Sequence, residues 1–347
     1  MPNAMPPTMP NTVPDAAPHA ATPGAARDVG PDAVPATPGA APIQVPAALD
    51  ASLAGCLGEA GRRWSARLPA LAAELMERWG LRPAGAPAHG AVGLVIPALR
   101  TDGTPVALKL QPVDEETAGE PVALGAWGGR GAVHLLAHDP ATGSMLLERL
   151  DPDRSLHTVA DDSAALRVLA ELLAGLTEHQ APPGLRHLAD VSDAMLALVP
   201  AALGALADPA DRRSVADCAA ALREVRPEPG DRLLHWDLHY GNVLAPPGSD
   251  GRAPWLAIDP KPLAGDPGFE LLPALHNRWA DLVATGDVRR ALHRRFDLMT
   301  DVLALDRARA ARWTLARVLQ NALWDVEDGR TAIAPAQRLV ADALLTR

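Results

Sequence analysis

Residues Leu233 to Leu244, which read LLHWDLHYGNVL, decide how this chain is interpreted. Within them His235, Asp237 and Asn242 form the pattern H-x-D-x-x-x-x-N, with apolar residues on both sides. Phosphoryl-transfer enzymes use this spacing for a loop whose aspartate receives the proton of the substrate hydroxyl and whose asparagine holds Mg²⁺. The stretch therefore predicts a catalytic loop with Asp237 as the base or orienter. An ordinary polar loop is the alternative.

A second acidic position follows the loop. The apolar run WLAI at 255–258 ends at Asp259, and such a run is typical of a buried strand that delivers its next residue to the edge of a site. A metal-binding acid is needed at that place in a phosphoryl-transfer enzyme. Asn242 and Asp259 are therefore the predicted ligands of Mg²⁺, and the combination of loop and acid favours a phosphoryl-transfer site.

Three segments resemble a known family: MLLERL at 145–150, HWDLHYGNVLA at 235–245 and WLAIDPKPLAGDPGFELLPALHNRW at 255–279. The chain resembles the streptomycin phosphotransferases, the aminoglycoside/hydroxyurea resistance kinase family, from about Ala48 to the C-terminus. The resemblance implies an α+β, two-lobed protein-kinase-like fold that uses ATP and Mg²⁺. The small β-rich, nucleotide-binding lobe is expected over residues 47–150 and the larger helical, substrate-binding lobe over residues 151–347.

Composition limits the classes of function. The 347 residues exceed one ordinary core and suit two lobes. The net charge of −10 argues against a nucleic-acid partner and favours a cationic or metal-bridged ligand. Only two cysteines occur, Cys56 and Cys218, so a reducing cytoplasm is expected. The run at 194–207 contains Pro200 and is too short to span a bilayer, so no membrane association is expected. The oligomeric state stays open.

The first 46 residues differ from the rest of the chain. They are rich in alanine and proline and contain few large apolar residues, so they cannot bury enough surface to offset chain entropy. We expect residues 1–46 to form a disordered extension, although a misassigned start codon would give the same pattern. Helical periodicity begins at Leu49, and Pro69 is expected to open a second helix. Further helices are expected near 162–176, 191–207, 211–225, 288–303, 307–326 and 335–345.

Lysine is rare in this chain. Only Lys109 and Lys261 occur among the 32 basic residues, and both fall in kinase-like motifs. The segment VALK at 106–109 matches the strand whose lysine pairs with the α- and β-phosphates of ATP. Glu116 and Glu120 lie four residues apart, and either can reach that lysine from a helix. We expect Glu116 to be the partner because of its place in the family pattern. Pro121 suits a first helical turn better than a helix interior, so a helix spanning Glu116 and Glu120 would be kinked or would start late.

The strands around Lys109 also carry nucleotide-binding candidates. Thr101 to Thr104 read TDGT between two β-favouring runs, which predicts a hairpin. Gly85, Gly90 and Gly93 precede the first run, either as a phosphate-binding loop or as a plain turn. By resemblance, the segment LERL at 147–150 is the linker between lobes, in which Glu148 and Leu150 meet adenine through main-chain atoms.

The substrate that accepts the phosphoryl group is the part of the reaction that the sequence defines least. The resemblance implies transfer of the γ-phosphoryl group of ATP to a hydroxyl of streptomycin, a reaction of the streptomycin 6-kinase type that confers antibiotic resistance. Guanidinium groups pair with carboxylates, so Asp266, Glu270 and Asp325 are the candidates for gripping this cationic substrate. Helix capping by the first two and a solvated surface for the third are the alternatives. A kinase of the same fold acting on hydroxyurea and, less favoured, a nucleotide-binding pseudokinase are the other hypotheses.

Overall fold

The computed structural model describes residues 43–248 and 254–346. Strands are concentrated in the first half and helices in the second, so the predicted α+β architecture is confirmed. The strands are β1 Leu81–Pro83, β2 Ala88–His89, β3 Leu94–Arg100, β4 Pro105–Leu110, β5 Leu135–Asp139, β6 Ser144–Glu148, β7 Asp151–Ser155, β8 Arg186–His187, β9 Arg232–Leu234, β10 Val243–Ala245, β11 Leu256–Ala257 and β12 Leu263–Gly265. The helices are α1 Ala47–Arg78, α2 Glu120–Trp127, α3 Asp162–Thr177, α4 Leu188–Ala205, α5 Pro209–Val225, α6 Leu272–His276, α7 Trp279–Ala284, α8 Val288–Val302, α9 Arg307–Glu327 and α10 Pro335–Leu345.

The first half is built on one antiparallel sheet. Its strands lie in the order β1-β3-β4-β6-β5, with β2 paired to β3. Strands β3 and β4 pair from Leu94 with Leu110 to Leu99 with Pro105, which confirms the predicted hairpin. Alternate residues of β3 are buried because one face of the sheet packs on α1. The sheet thereby fixes the strand that carries Lys109.

Helix α1 breaks at a different residue from the one predicted. Pro69 does not open a second helix but lies inside α1, and the break falls at Gly58, whose φ of 57° and ψ of −129° are non-helical. Glycine adopts such a conformation without steric cost. A Cβ on Gly61 would lie 1.9 Å from the carbonyl oxygen of Leu53, so a second glycine lets the two helical segments approach closely. Ahead of the helix, Ile43 and Val45 pack on the same apolar cluster as α1.

Residues 1–42 lie outside the described residues. The expectation of a disordered extension therefore remains a prediction, and so do the lobe boundaries at 46 and 150.

The second half is a helical body around one large apolar core. The helices expected near 162–176, 191–207, 211–225, 288–303, 307–326 and 335–345 are confirmed as α3, α4, α5, α8, α9 and α10. Asp161 caps α3 by accepting hydrogen bonds from the amides of Ser163 and Ala164. In the described ranges only α4 is long and apolar enough to cross a membrane, and its buried side packs into this lobe. Helix α2 contributes Trp127 to the same core, so it connects the sheet to the helical body.

Two small sheets position the loops between these parts. Strand β10 pairs with β7 and β11, and strand β12 pairs with β8 and β9. The catalytic stretch joins β9 to β10, and Asp259 follows β11. Because both sheets are short and their central residues are buried, the two loops leave the core at fixed points.

Candidate active site

The loop between β9 and β10 is held from within by a histidine. His235 is fully buried, its Nε2 lies 3.0 Å from the carbonyl oxygen of Ile258, and its Nδ1 accepts a hydrogen bond of 3.3 Å from the amide of Asp237. Burial lowers the pKa of His235 to about 4, so the ring is neutral. His235 is therefore a structural hydrogen-bonding residue that orients the loop. The histidine ties the catalytic loop to the residue before Asp259.

Trp236 is strained and clamped. Its φ is 63°, a left-handed value that is uncommon for a residue with a side chain. The Oε1 atom of Glu270 accepts a hydrogen bond of 2.7 Å from its amide, and Nη2 of Arg317 donates one of 3.3 Å to its carbonyl oxygen. The guanidinium carbon of Arg317 lies 5.3 Å from the centre of the indole ring, and that of Arg186 lies 4.5 Å from it. These contacts fix the peptide that immediately precedes Asp237.

Asp237 faces the space between the two halves. Its side chain is 14% exposed, and its Oδ2 lies 3.2 Å from Nζ of Lys261. The Nδ2 atom of Asn242 donates a hydrogen bond of 2.9 Å to the carbonyl oxygen of Asp237. The aspartate is thus fixed through its backbone at both ends, while its carboxylate remains accessible from the cavity.

Asp259 is the second strained residue of the site, with φ of 59°. Its Oδ1 forms an ion pair with Nζ of Lys109 from the opposite half of the molecule. Partial burial acts to raise the pKa of Asp259, but the ammonium groups of Lys109 and Lys261 outweigh it and hold the pKa at about 2. The carboxylate is therefore ionised throughout the physiological range, as a metal ligand requires.

Lys109 pairs with a different glutamate from the one expected. Its Nζ lies 2.6 and 2.7 Å from the two carboxylate oxygens of Glu120, so the assignment of Glu116 as its partner is wrong. Helix α2 starts only at Glu120 because Pro121 is tolerated in a first turn. Asp114 accepts hydrogen bonds from the amides of Glu116 and Thr117, which holds Glu116 in a turn ahead of the helix.

The two glutamates give a direct stability test. Glu120 is almost fully buried against an ammonium, so Glu120→Ala leaves a buried charge with one partner fewer and should lower the free energy of unfolding by about 3 kcal/mol. Glu116→Ala removes a partly exposed side chain outside this ion pair and should cost less than about 0.5 kcal/mol. Chemical denaturation of both variants measures the difference. Equal losses would contradict the assignment of Glu120.

The residues predicted to hold Mg²⁺ suit that ion. The amide nitrogen of Asn242 is engaged with the carbonyl oxygen of Asp237, which leaves its side-chain oxygen available, and the amide of Ile258 donates a hydrogen bond of 2.9 Å to the backbone carbonyl of Asn242. Asn242 and Asp259 are therefore held near each other, and both line the same cavity. Within residues 43–248 and 254–346 no three His, Cys, Asp or Glu side chains converge as a metal cage. One or two protein oxygens completed by phosphate and water are typical of Mg²⁺.

One cavity of about 870 Å³ joins these groups. On one side it is bounded by the linker residues, where the amide of Glu148 donates a hydrogen bond of 3.0 Å to the carbonyl of His134. Gly90 and Gly93 also line the cavity and are joined to each other by a hydrogen bond of 3.0 Å, which describes a tight turn between β2 and β3. The residues predicted from sequence that line this cavity are Lys109, Glu116, Glu148, Leu150, Asp237, Asn242 and Asp259.

The three predicted substrate carboxylates do not line it. Asp266 caps the short helix that follows by accepting from the amide of Gly268, and it pairs with Arg309 at 2.7 Å. Glu270 holds the amide of Trp236, and Asp325 pairs with Arg330. Burial raises the pKa of Glu270 to about 7. Each carboxylate is thus engaged with the protein, and their assignment to the substrate remains a prediction.

Sequence reasoning missed several lining residues. Arg317 and Trp324 come from α9, and Ser52 and Cys56 come from α1. Arg317 is 3% exposed in the structure. In the sequence it stands among the apolar residues of α9, and an arginine in that position was the signal that could have identified it. Trp236, Lys261, Arg317 and Trp324, together with Glu116, form what we call the helix side of the cavity. The rings of Trp236 and Trp324 lie 6.4 Å apart, and Glu116 interacts electrostatically with Lys261 and Arg317.

Comparison with known proteins supports this description. The family model described as aminoglycoside/hydroxyurea antibiotic resistance kinase matches residues 78–329. A streptomycin 6-kinase of Streptomyces glaucescens is 59% identical over 293 residues, which is 84% of this chain and 94% of that protein. A hydroxyurea phosphotransferase of Kitasatospora aureofaciens is 57% identical over 292 residues, which is 84% of this chain and 82% of that protein.

The fold is shared with solved structures. A thermostable mutant of an aminoglycoside phosphotransferase, determined as a ternary complex with ADP and hygromycin B, superposes with a TM-score of 0.52 at 15% identity. The match covers 79% of this chain and 97% of that one. The protein-kinase-like fold predicted from the sequence is therefore confirmed.

Proposed function

Since this chain belongs to the aminoglycoside/hydroxyurea antibiotic resistance kinase family, we propose that it transfers the γ-phosphoryl group of ATP to a hydroxyl of streptomycin. It is a phosphotransferase with an alcohol group as acceptor. The observation that carries the proposal is that Lys109, Asp237, Asn242 and Asp259 line one cavity with intact geometry. The same observation disfavours a pseudokinase, since such a protein loses one or more of these groups. Streptomycin modification would give antibiotic resistance.

The residues divide the reaction between them. Asp237 accepts the proton of the acceptor hydroxyl as its oxygen bonds to the γ-phosphorus, and the bond from that phosphorus to the β,γ-bridging oxygen breaks, leaving its electron pair on ADP. Lys109 holds the α- and β-phosphates as a point charge. The linker supplies main-chain groups of Glu148 and Leu150 to adenine.

Asn242 and Asp259 would hold the metal. Mg²⁺, when bound, neutralises negative charge on the phosphates. The chain's own contribution is to keep both oxygen donors fixed, through the hydrogen bond of Asn242 to Asp237 and the constrained backbone of Asp259. The two free cysteines and the use of ATP suit a cytoplasmic protein.

A different carboxylate meets the acceptor in this proposal. Glu116 lines the helix side of the cavity, is partly exposed, and lies outside every ion pair among the described residues. A guanidinium of streptomycin pairs with such a carboxylate in a bidentate manner. The aromatic rings of Trp236 and Trp324 nearby offer apolar surface for the sugar rings.

Glu116→Gln should raise KM for streptomycin by about 5- to 10-fold, because a charge-assisted pair becomes a neutral hydrogen bond. Raising ionic strength should increase the wild-type KM for streptomycin and should have little effect on the variant. Glu115→Gln is the matched control, since it removes the same charge one residue away from an exposed side chain that does not line the cavity. The same salt dependence in both variants would remove Glu116 from the acceptor site.

Mass spectrometry tests the reaction itself. Purified protein with ATP and Mg²⁺ should add one phosphate to streptomycin. Hydroxyurea belongs in a parallel reaction because a hydroxyurea phosphotransferase is 57% identical to this chain. If hydroxyurea is phosphorylated while streptomycin stays unmodified, the assignment as a kinase holds and the assignment of streptomycin as the substrate is overturned. Failure of both reactions by folded, ADP-binding protein would contradict the proposed function.

A further inference from the structure

Lys261 stands beside the catalytic aspartate without a role in the scheme above. Its Nζ lies 3.2 Å from Oδ2 of Asp237, and its amide donates a hydrogen bond of 3.0 Å to the carbonyl oxygen of His235. The side chain is 24% exposed and lines the cavity. Flanking Pro260 and Pro262 restrict the backbone on both sides. The ammonium is thus held next to the place where phosphoryl transfer must occur.

The side chain of Lys261 carries a positive charge. Its ammonium is surrounded by the carboxylates of Asp237, Glu116 and Asp259, all of which favour the charged form. The group therefore stays protonated and does not act as a base. A lysine ammonium has three N–H donors, and the contact with Asp237 uses one of them.

The other cations that line the cavity beside the reacting groups are already engaged. Lys109 is paired with Glu120 and Asp259. The guanidinium of Arg317 donates to Gln320 and to the carbonyl of Trp236 and lies over the indole ring. Lys261 contacts the catalytic carboxylate and retains donors for a further acceptor. Phosphoryl oxygens, which carry negative charge during transfer, are such acceptors.

We propose that Lys261 is a catalytic residue that donates hydrogen bonds to the transferring phosphoryl group while its contact with Asp237 keeps that carboxylate directed at the acceptor hydroxyl. This inference rests on the phosphotransferase function proposed above. Lys261 gives up no proton. The acceptor proton still passes to Asp237, the new bond joins the acceptor oxygen to the γ-phosphorus, and ADP leaves with the electron pair of the broken bond.

Substitution separates this role from charge balance. Lys261→Met should lower kcat about 30-fold and change KM for ATP and for streptomycin by less than about threefold. Lys261→Arg should recover part of kcat, because it restores the charge and donors. Arg62→Met is the control, since it removes a positive charge from an exposed α1 side chain that does not line the cavity. Wild-type turnover of streptomycin in the same assay shows that the proposed function itself holds.

Two readouts distinguish contact with the phosphoryl group from an effect through Asp237. With Mg²⁺, aluminium fluoride and streptomycin, wild-type protein should bind ADP at least about tenfold more tightly than without fluoride, and Lys261→Met should lose this gain. The kcat deficit should also be constant from about pH 6 to 9, because a lysine with an ordinary pKa of about 10.4 keeps its charge across that range. The proposal would be overturned if Lys261→Met kept the gain in ADP affinity or if its kcat were within threefold of wild type. It would also be overturned if the kcat deficit of the variant disappeared at any pH in that range.

A second measurement needs no variant and so does not depend on folding of Lys261→Met. Lys109 and Lys261 are the only lysines in the chain, so acylation by a small reagent can be followed at each by peptide mass spectrometry. The ADP, aluminium fluoride and streptomycin complex should slow acylation of Lys261 at least tenfold relative to ADP alone. Equal rates would show that Lys261 does not meet the phosphoryl group.

Discussion

Asp237→Asn should lower kcat about a thousandfold while leaving the protein folded and able to bind ADP. The substitution preserves shape but removes the carboxylate that accepts the acceptor proton, and general-base catalysis contributes about 10²- to 10⁴-fold. The loop should keep its conformation, because Trp236 is clamped by Glu270 and Arg317 and Asn242 binds the backbone of residue 237, not its side chain. Single-turnover kinetics with streptomycin measures the chemical step.

The control is Asp153→Asn, a change of the same kind at an exposed strand residue that does not line the cavity. It should retain wild-type kcat. If Asp237→Asn kept more than about a tenth of wild-type turnover, Asp237 would orient the substrate without acting as its base.

Asp259→Ala should cut turnover at least about a hundredfold with the fold intact. The variant loses an oxygen donor to Mg²⁺ and the partner of Lys109, so charge that develops on the phosphates is left without compensation. Alanine tolerates the positive φ of residue 259 less well than aspartate does, but the Asp259 side chain is about half exposed and Glu120 still pairs with Lys109, so the fold should be retained. Turnover is measured against Mg²⁺ concentration for both proteins.

The shape of that titration decides the role. A wild-type protein should reach its plateau at lower Mg²⁺ than the variant, because the variant retains Asn242 as its main side-chain ligand. Near-normal turnover at ordinary Mg²⁺ would exclude Asp259 as a metal ligand. A large rise in KM for ATP with an unchanged Mg²⁺ response would instead show that Asp259 only orders Lys109.

The meeting of the proposed catalytic residues in one cavity could be predicted because their signal is local. The spacing of His235, Asp237 and Asn242 lies within one loop, and Asp259 follows a run whose burial is evident from its composition. The same holds for Lys109, which lies on a strand of a hairpin marked by its turn. Each of these predictions needed only the residues beside it.

The partner of Lys109 and the substrate carboxylates required information from distant parts of the chain. Whether Glu116 or Glu120 reaches Lys109 depends on where α2 begins. Pro121 indicated a late start, but the placement of Glu120 against Lys109 is visible only in the folded structure. For Asp266, the sequence Asp-Pro-Gly was in fact a local signal for a capped turn, and the structure agrees with capping. The partner of Asp266, Arg309, lies 43 residues away, whereas Arg330 lies only five residues from Asp325.

Helix α1 shows the opposite error. Pro69 is a strong helix-breaking signal, yet the backbone deviates at Gly58. The segment before Gly58 contributes Ser52 and Cys56 to the cavity and buries Leu49 and Leu53. Tertiary packing therefore decided where the helix bends, and the sequence pattern alone did not contain that contact.

Two residues that line the cavity, Arg317 and Trp324, lie on the single helix α9, and this has a consequence for how the site can evolve. Lys109 and Glu120 come from β4 and α2, so substitutions along α9 can alter the helix side of the cavity while the nucleotide residues stay unchanged. Selection for a new drug can then act on one helix without rebuilding the chemistry. On this view α9 is the first place to look for differences between this chain and its two relatives, a streptomycin 6-kinase at 59% identity and a hydroxyurea phosphotransferase at 57%.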